Sequence, residues 1–428
     1  MSINDIREIY RKNSNNNVRN IIEKLFLPTN IEKLENAEVS TPVFLIDEML
    51  SKIPEAFWKT PKKVLEPSCG KGIFLLGIFD KFYHGLAESI SDKNQRCKTI
   101  MTECLCYGDI SDMNVLISTE ILRCHIESYT GIYPDYTFNI FVGNTLLIDV
   151  KQHFQIEHFD AVVGNPPYNK SRIGNVKGKH GGRSLWDKFV VNALTMLKEN
   201  GYLLFIHPPS WRKPNHYLWK IMSSKQIHFL KSYSKQEGLD MFGCAVLTDY
   251  YLLENTKIYK NTEFVGDKIY SVNLSELPFL PSGCIEEIKN ILGSNKVIHS
   301  SSIYDARRKY VSPTNKEDFI LPVVHSMTKK RGLGFIYSKE YRGHFRVPKV
   351  ILSFGQYQYP YNDWEGNYGM SQMCFGLEIS SKEDGDNIVK AINSDKFREI
   401  LKNTKWSTFQ TDWRMFQEFK KDFWKEFI

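Results

Sequence analysis

The sequence has no long hydrophobic run and few cysteines. No apolar stretch in its 428 residues reaches the ~18–20 residues needed to span a bilayer, which argues against an integral membrane protein. The amino-terminal segment MSINDIREIYRKNSNNN has no apolar core of a secretory signal. The 8 cysteines are too few for a disulfide framework. We therefore expect a cytoplasmic protein with reduced thiols.

The sequence also has no large excess of charge of one sign. It carries 56 Lys and Arg against 49 Asp and Glu, and this net charge of +7 permits a polyanionic partner without requiring one. An apolar fraction of 42% is ordinary for a globular protein and excludes a disordered or fibrous chain. At roughly 150 residues per domain, the length predicts two or three domains.

The hydrophobic pattern divides the chain into three segments. Residues 1–37 show helical spacing interrupted by asparagines, which predicts two short helices that cap the next domain. Residues 38–257 alternate strand-like strings with amphipathic helices, which predicts an α/β domain with a mostly parallel sheet and helices on both faces. Residues 258–428 have short strand-like strings broken by Gly, Pro, Ser and Asn, followed by helices from residue 381 and a helical tail from residue 411, and they predict a second domain. The predicted strands of the first domain are residues 63–66, 100–107, 138–143, 161–164, 202–207, 227–233 and 244–253.

Three motifs follow the first three of these strings. The first is Glu66-Pro67-Ser68-Cys69-Gly70-Lys71-Gly72, a Gly-x-Gly turn that lets a ligand approach bare backbone at the start of a helix. It is neither the dinucleotide fingerprint nor a phosphate loop, and by itself it also fits a structural turn. Asp109 can accept the two hydroxyls of a ribose or cap a helix. Asn144 can meet an adenine ring with one donor and one acceptor.

The fourth motif, Asn165-Pro166-Pro167-Tyr168, follows the fourth string and is the most specific. The two prolines fix the backbone and have no N–H, so their carbonyls are free to accept. The side-chain oxygen of Asn165 and the main-chain oxygen of Pro166 can take the two hydrogens of one planar amine, while Tyr168 offers a face for stacking a flat ring. This arrangement suits the exocyclic amine of a base, or an amide.

With these four motifs the sequence resembles the S-adenosylmethionine-dependent amino-methyltransferases that have an Asn-Pro-Pro-Tyr motif. It is most similar to the N6-adenine DNA methyltransferases of restriction-modification systems with the gamma order of motifs, over roughly residues 38–255. The resemblance implies a Rossmann-like methyltransferase sheet with helices on both faces, followed by a C-terminal α+β target-recognition domain. It also implies S-adenosyl-L-methionine as cofactor and double-stranded DNA as partner, with the target adenine flipped out of the duplex.

The resemblance also implies roles for individual residues. The catalytic residues are Asn165, Pro166, Pro167 and Tyr168. The cofactor-binding residues are Thr41, Pro42, Glu66, Pro67, Gly70, Gly72, Asp109, Ile110 and Asn144. Asn144 stands where many relatives have Asp, and either side chain can accept from the amine of the cofactor. Glu103, which is also near the second strand, is the alternative to Asp109 as the acid that binds the ribose.

Basic residues interleaved with aromatic ones in residues 325–349 predict either a surface that contacts phosphates or a solvated face. This basic segment contains Lys329, Lys330, Arg331, Lys339, Arg342, Arg346 and Lys349; of these we predict Lys329, Lys330, Arg331, Arg342 and Arg346 as DNA-binding. The Tyr- and Gln-rich residues 354–364 either reach base edges or pack within the domain, and Trp211 either lines the pocket or packs in a core. The aromatic residues of the tail, from Trp413 to Phe427, form an apolar helical face that either docks within the chain, which we expect, or forms a dimer surface.

No metal site is predicted. Cys97, Cys104, Cys106, Cys124 and His125 lie close together, but their spacing fits no zinc site, and we expect the cysteines to be core thiols.

The sequence therefore predicts a site-specific DNA methyltransferase that modifies adenine. Since the chain has no recognisable nuclease motif, we expect it to act alone or beside a separate cognate restriction endonuclease. The alternatives are a protein-glutamine methyltransferase, an RNA methyltransferase and a catalytically silent DNA-binding subunit. The motifs do not predict the recognition sequence or the oligomeric state.

Overall fold

A computed structural model of the protein describes residues 3–13, 15–25, 40–169, 184–299, 303–355, 358–406 and 410–428. The chain forms two compact units. The first consists of Met1–Pro209 and Lys220–Leu274, and the second of Ser210–Trp219 and Ser275–Ile428. Within the described ranges, no helix has both the length and the apolar character required to cross a membrane. Residues 26–37 of the predicted amino-terminal helical segment lie outside the described residues.

A nine-stranded sheet is the centre of the first unit. In chain order its strands are β1 (Val64–Glu66), β2 (Leu105–Asp109), β3 (Asn139–Val142), β4 (Phe159–Gly164), β5 (Leu197–His207), β6 (Lys225–Tyr233), β7 (Thr248–Lys257), β8 (Thr262–Val265) and β9 (Ile269–Val272). In space they follow the order β3-β2-β1-β4-β5-β7-β6-β8-β9. Strands β1 to β5 are parallel, and β7 lies antiparallel between β5 and β6. Each of the seven predicted strings contains a strand, and the predicted α/β fold class is confirmed.

The helices of the first unit cover the sheet and follow the amphipathic stretches of the sequence. They are α1 (Ile3–Lys12), α2 (Asn15–Leu25), α3 (Val43–Leu50), α4 (Ile73–Gly85), α5 (Lys93–Thr99), α6 (Asp112–Thr130), α7 (Val150–Phe154), α8 (Trp186–Met196) and α10 (Lys235–Phe242), with a 3₁₀ helix at Glu55–Lys59. The 3₁₀ helix Pro209–Arg212 and α9 (Tyr217–Met222) each contain residues assigned to both units. As predicted, the amino-terminal helices act as a cap: Ile6, Val18 and Ile22 are buried in the main core.

One predicted strand is wrong in its first half. Residues Ile100–Cys104 form a turn of π-helix that continues α5, and the strand starts only at Leu105. A short apolar run does not distinguish a buried helical turn from a buried strand, because both faces are apolar in either case.

The two compact units divide the chain differently from the sequence-based boundary at residue 257. Strands β8 and β9 extend the first sheet to Val272, because β8 pairs in parallel with β6. Residues 210–219 belong to the second unit. There the buried guanidinium of Arg212 donates hydrogen bonds to the carbonyl oxygens of Leu280 and Pro281. Trp211, which the sequence left between pocket and core, is fully buried in this second unit.

The second unit is an α+β fold with two four-stranded sheets. The strands are β10 (Val297–His299), β11 (Val311–Ser312), β12 (Leu321–Thr328), β13 (Gly332–Ser338), β14 (Lys349–Ser353), β15 (Tyr361–Asp363), β16 (Gly369–Met370) and β17 (Cys374–Glu378). One sheet has the order β10-β17-β14-β15 and is antiparallel; the other has the order β11-β13-β12-β16. The helices are α11 (Ile285–Ile291), α12 (Lys382–Asn393), α13 (Asp395–Asn403) and α14 (Arg414–Gln417), with short 3₁₀ helices at Leu274–Glu276 and Phe423–Glu426.

The carboxyl-terminal tail packs into the core of its own unit, as predicted, but it is not one helix. Phe416, Phe419 and Phe423 are fully buried and contact one another with ring centroids 5.5–6.4 Å apart. Phe416 lies in α14 and Phe423 begins the 3₁₀ helix Phe423–Glu426, whereas Phe419 lies between them in an isolated β-bridge with Leu292. The spacing of the aromatic residues correctly indicated that they are buried. It did not indicate a continuous helix, because short segments joined by turns can bury the same rings.

Candidate active site

The candidate site lies where the strand order of the first sheet reverses, between β1 and β4. These strands are paired in parallel, with Leu65 opposite Val162, so the loops that follow them leave the same edge of the sheet. Ligands bind at such reversal points in open parallel sheets. Gly164, at φ +152°, ends β4, and a Cβ at this position would lie 3.5 Å from Cγ of Glu66. The Gly-x-Gly loop and the Asn-Pro-Pro-Tyr motif are therefore immediate neighbours.

One pocket at this edge brings together most of the predicted site residues. It is lined by Thr41, Glu66, Pro67, Gly70, Asp109, Ile110, Asn144, Asn165, Pro166, Pro167 and Tyr168. Two predicted residues do not line it. Pro42 is the N-cap residue of α3, and Gly72, at φ +83°, is the N-cap residue of α4, where a Cβ would come within 2.7 Å of Cβ of Ser118. Both serve the helices that begin beside the pocket.

Glu66 is a buried acid in the wall of this pocket. Only 2% of the residue is exposed, and its Oε2 atom has no hydrogen-bond partner among the described residues. Burial, together with the negative charge of Asp109, raises the pKa of the Glu66 carboxyl well above its ordinary value. A buried carboxylate needs a positive or donating partner, so this side chain is suited to a cationic group of a ligand.

Asp109 holds the Gly-x-Gly loop in place. Its Oδ2 accepts the backbone N–H of Gly70 at 3.0 Å, and its Oδ1 accepts the backbone N–H of Ser111 at 2.9 Å and Nδ2 of Asn114 at 3.3 Å. The helix cap that the sequence allowed for Asp109 is instead formed by Ser111. Glu103, the alternative to Asp109, is exposed at the opposite, amino end of β2.

The third wall of the pocket follows β2 and β3. Ile110 is 62% exposed beside the pocket, which is unusual for an aliphatic residue and leaves it available to cover a flat ring. Oδ1 of Asn144 accepts the backbone N–H of Leu146 at 3.0 Å, so its amide is oriented by its own turn. The hydroxyl of Thr145 donates to the carbonyl oxygen of Pro67 and joins this loop to the one after β1.

The side-chain amide of Asn165 is oriented by Thr41. Nδ2 of Asn165 donates to Oγ1 of Thr41 at 3.1 Å, which turns Oδ1 to the other side of the amide. Thr41 is 5% exposed and immediately precedes Pro42 at the start of α3. Tyr168 lies beside it in the pocket with 7% exposure, and burial raises the pKa of its phenol well above the usual value. The phenol oxygen has no hydrogen-bond partner in the described part of the chain.

Helix α3, which begins two residues after Thr41, is itself tied to the sheet. Glu48 accepts Nζ of Lys231 on β6 at 2.8 Å and the hydroxyl of Tyr250 on β7 at 2.7 Å. Burial acts to raise the pKa of the Glu48 carboxyl, but these two hydrogen bonds hold it below its ordinary value. The contact between Thr41 and Asn165 is therefore supported from two strands.

Sequence reasoning missed several residues of the pocket. Ile46, Phe74, Asn114, Thr145 and Phe189 line it as well. Asn114 has a recognisable signal, since it stands in the first turn of the helix that follows Asp109. Thr145 directly follows the predicted residue Asn144. Ile46, Phe74 and Phe189 have no such signal, because they reach the pocket through the packing of their helices.

The four clustered cysteines are core thiols. Cys97, Cys104, Cys106 and Cys124 are buried, and burial raises their pKa values to about 12. His125 is also buried, with Nε2 2.7 Å from Oδ1 of Asp80. The described residues contain no group of three or more metal-ligating side chains.

In the second unit, the basic segment separates into exposed, paired and buried cations. Lys329, Lys330 and Arg331 form the exposed turn between β12 and β13. Arg342 is exposed, but its Nε donates to Glu340 at 2.7 Å and its guanidinium lies over the ring of Tyr310. Arg346 is exposed and lies 6.0 Å from the ring centroid of Tyr341.

Lys349 was wrongly grouped with this surface. It is fully buried at the start of β14, where Nζ lies 2.5 Å from Oδ2 of Asp363. Its burial follows from the place of β14 between two other strands. Gln358 is also buried and hydrogen-bonds the backbone of Ser353, which favours packing for this part of residues 354–364; residues 356–357 lie outside the described residues.

Part of this chain is similar to known methylases. Residues 103–238 match the family model of the Eco57I restriction-modification methylase. The chain is 24% identical over 409 residues to the type II restriction enzyme and methyltransferase RM.Eco57I of Escherichia coli, covering 75% of this chain and 39% of the relative. It is 24% identical over 243 residues to an uncharacterised adenine-specific methylase of Mycoplasma pneumoniae, covering 42% of this chain and 57% of the relative. The chain thus spans less than two thirds of the length of either relative.

A solved structure has the same fold. The cryo-electron microscopy structure of a DrdV–DNA complex matches 96% of this chain and 58% of that chain, with a TM-score of 0.55 at 10% identity. The resemblance of the motifs to restriction-modification adenine methylases is confirmed by the match of residues 103–238 to the Eco57I restriction-modification methylase model and by the similarity to the two curated relatives.

Proposed function

We propose that this protein is a site-specific DNA methyltransferase that transfers a methyl group from S-adenosyl-L-methionine to the N6 amine of adenine in duplex DNA. The observation that carries the proposal is the single pocket that joins the Glu66–Gly70 loop to Asn165 and Tyr168. A family match over residues 103–238 supports the same chemistry. The proposed partners are double-stranded DNA and a separate cognate restriction endonuclease.

The pocket fits the proposed cofactor. Glu66 offers a buried, unsatisfied carboxyl oxygen to an ammonium group, and Gly70, without a side chain, leaves the loop open to a close ligand. Asp109, held against Gly70, keeps further acceptor capacity for ribose hydroxyls, and Ile110 covers an adenine ring. Asn144 completes the adenine side. Once bound, S-adenosyl-L-methionine supplies an electrophilic methyl group on a sulfonium sulfur.

The acceptor side of the pocket activates a weak nucleophile. The lone pair of the adenine amine is delocalised into the ring, so its nitrogen must become tetrahedral before it can form a bond to carbon. Oδ1 of Asn165 and the carbonyl oxygen of Pro166 accept the two amine hydrogens and stabilise the positive charge that develops on nitrogen. The nitrogen forms its bond to the methyl carbon as the C–S bond breaks and the thioether leaves, and the methylated nitrogen then loses one proton to solvent. Tyr168 stacks on the base, which must leave the duplex to reach this depth. Pro167 keeps the turn rigid.

The decisive experiment is radiolabelled methyl transfer from the cofactor to duplex DNA, RNA and protein in parallel. Label in duplex DNA, recovered as N6-methyladenine, is the expected result. Label only in protein or RNA would favour a glutamine or RNA methyltransferase. Binding of DNA without transfer to any acceptor would favour a silent DNA-binding subunit. Long-read sequencing of DNA from cells that express the chain then identifies the methylated site.

A further inference from the structure

The hairpin β12–β13 of the second unit becomes a two-stranded ribbon in its outer half. Its strands pair from Leu321 with Ser338 to Thr328 with Gly332. Neighbouring strands cover only the inner half, since β16 pairs with Val323 and Val324, and β11 pairs near Ser338. Within the described residues, the part from Ser326 to Gly334 therefore has no strand on either edge. We call this part the outer ribbon.

The two faces of the outer ribbon are different. One face packs on a core: Met327 is 7% exposed and joins Val324, Ile351, Met370 and Cys374, and Leu333 packs beside it. The other face carries the exposed residues Ser326 and Thr328. A β-bulge between Val324 and Ser326 sets this alternation, so a polar face follows directly on buried strands.

The polar face has few side-chain atoms, because a glycine stands opposite each of the two hydroxyl residues. Ser326 pairs with Gly334, and Thr328 pairs with Gly332. The side chain of Ser326 occupies the space that a Cβ at Gly334 would need, and Gly332, at φ +64°, closes the turn. A strand with glycines on its solvent face lets another molecule approach its backbone closely. The face therefore has two hydroxyl groups and no bulky side chain.

Three consecutive cations form the tip of the outer ribbon. Lys329, Lys330 and Arg331 are exposed, and no described residue forms an ion pair with them. The backbone N–H of Arg331 donates to Oγ1 of Thr328 at 3.1 Å, which holds the turn together. This combination suits a groove of a nucleic acid. The flat polar face can meet the base edges on the floor of the groove, and the cationic tip can meet the phosphates at its rim.

We propose that the outer ribbon lies in the major groove of the duplex, with Ser326 and Thr328 at the base edges and Lys329, Lys330 and Arg331 on the phosphates. The proposal rests on the proposed function, because it takes DNA as the substrate. The major groove of B-form DNA admits a two-stranded β-ribbon, and hydroxyl groups donate to or accept from base edges there. The major groove of A-form RNA is too deep and narrow to be read this way.

The test uses the full chain and two kinds of fluorescent DNA duplex. One carries the recognition sequence identified by long-read sequencing, and the other carries a single-base change in that sequence. Replacing Lys329, Lys330 and Arg331 together by Ala should weaken binding to all the duplexes and lower the slope of log affinity against log salt by up to about three units. Lys396→Ala with Lys421→Ala, which removes two exposed cations elsewhere in the same unit, is the matched control and should leave the slope unchanged.

Ser326→Ala should change sequence preference and leave the salt dependence of binding unchanged. Its salt slope should stay as in the wild type, while preference for the site over one of the single-base variants falls roughly fivefold or more. Thr328→Val tests the second hydroxyl, and Thr328→Ser, which keeps the bond to Arg331, should retain the preference. An unchanged slope in the triple variant, or unchanged preference in Ser326→Ala and Thr328→Val, would overturn the inference. If the wild type does not bind duplex DNA, the proposed function fails with it.

Discussion

At the residue scale, the contact between Asn165 and Thr41 holds the side-chain amide of Asn165 in one orientation in the pocket. The hydrogen bond from Nδ2 to Oγ1 of Thr41 gives the amide hydrogen a partner only while Oδ1 points the other way. A rotated amide would present a donor to the donating amine of adenine. Thr41, which lines the candidate pocket, is therefore a positioning residue in the proposed reaction.

We predict that Thr41→Val lowers the single-turnover rate of methyl transfer roughly tenfold or more, because a buried N–H loses its partner. Thr41→Ser should keep most of the rate. Asn165→Ala should lower it at least about a hundredfold, the size of one preorganised polar partner. In the double variant, Thr41→Val should add no further loss to Asn165→Ala. Additive losses would mean that Thr41 acts through the cofactor alone.

Glu66 makes the folding stability of the ligand-free protein depend on pH. Its folded pKa is raised, so the folded protein binds the proton more tightly than the unfolded chain does. This contribution to stability is fully present below pH 4.5, the ordinary value, and is lost as the pH rises through the folded pKa. We predict that Glu66→Gln removes this loss and is more stable than the wild type at neutral pH, as measured by urea unfolding across the pH range.

The same substitution should weaken cofactor binding, because the ammonium group loses its counter-charge. Binding to the wild type should release a proton near the raised pKa, which calorimetry in two buffers of different ionisation enthalpy detects. Equal stability of Glu66→Gln and wild type at every pH would contradict the buried, unsatisfied carboxyl.

Tyr168 separates the roles of a ring face and a hydroxyl. Its phenol oxygen is buried without a partner in the described residues. We predict that Tyr168→Phe keeps the methylation rate and is as stable as the wild type or more stable, by up to about 1 kcal/mol. Tyr168→Ala should lose about 1–3 kcal/mol of stacking, seen as weaker flipping of a fluorescent base analogue at the target. A strong loss in Tyr168→Phe would assign the hydroxyl a role in the reaction.

At the element scale, the start of helix α4 depends on Gly72. This glycine has a positive φ and packs against Ser118 of helix α6. We predict that Gly72→Ala destabilises the protein more than Gly131→Ala does. Gly131 has a similar φ of +74° with nothing within 4 Å, so it measures the cost of the backbone alone, about 1 kcal/mol. Adding Ser118→Gly to Gly72→Ala should remove the extra loss of thermal stability relative to Gly131→Ala, because it removes the Cβ that the new methyl group would contact. Equal losses at both glycines would leave the contact with Ser118 without effect.

The sequence predicted those elements and motifs that depend only on the local pattern of residues. The four motifs were predictable because each stands at the end of one of the first four strand-like strings, and parallel strands bring such loops to one edge. The 100–107 string, strands β8 and β9, and the excursion of residues 210–219 were not. Each depends on pairing or packing with residues distant in sequence, which the local pattern does not contain.

At the scale of the whole molecule, the two compact units differ in what stabilises them. The first holds the pocket, and the second contains the buried ion pair of Lys349 and Asp363. We predict that Lys349→Met lowers the stability of the second unit by about 3–5 kcal/mol, because it leaves a buried carboxylate without its cation. The cofactor should raise only the unfolding temperature of the first unit. Calorimetry should resolve these two effects as separate transitions, and a common shift of both would contradict this division.

The sequence alone determined the fold class, the resemblance to adenine methylases and most of the residues that line the pocket. Strand burial and the Gly-x-Gly and Asn-Pro-Pro-Tyr motifs are local, and their chemistry needs particular residue types at fixed spacing. Only the tertiary structure decided which cations are exposed, since Lys349 and Lys330 look alike in the sequence. It also decided that Thr41, 124 residues before Asn165, orients its amide, and that two glycines stand opposite Ser326 and Thr328. These features arise from contacts between distant segments, which form only when the sheets pair and the helices pack on them.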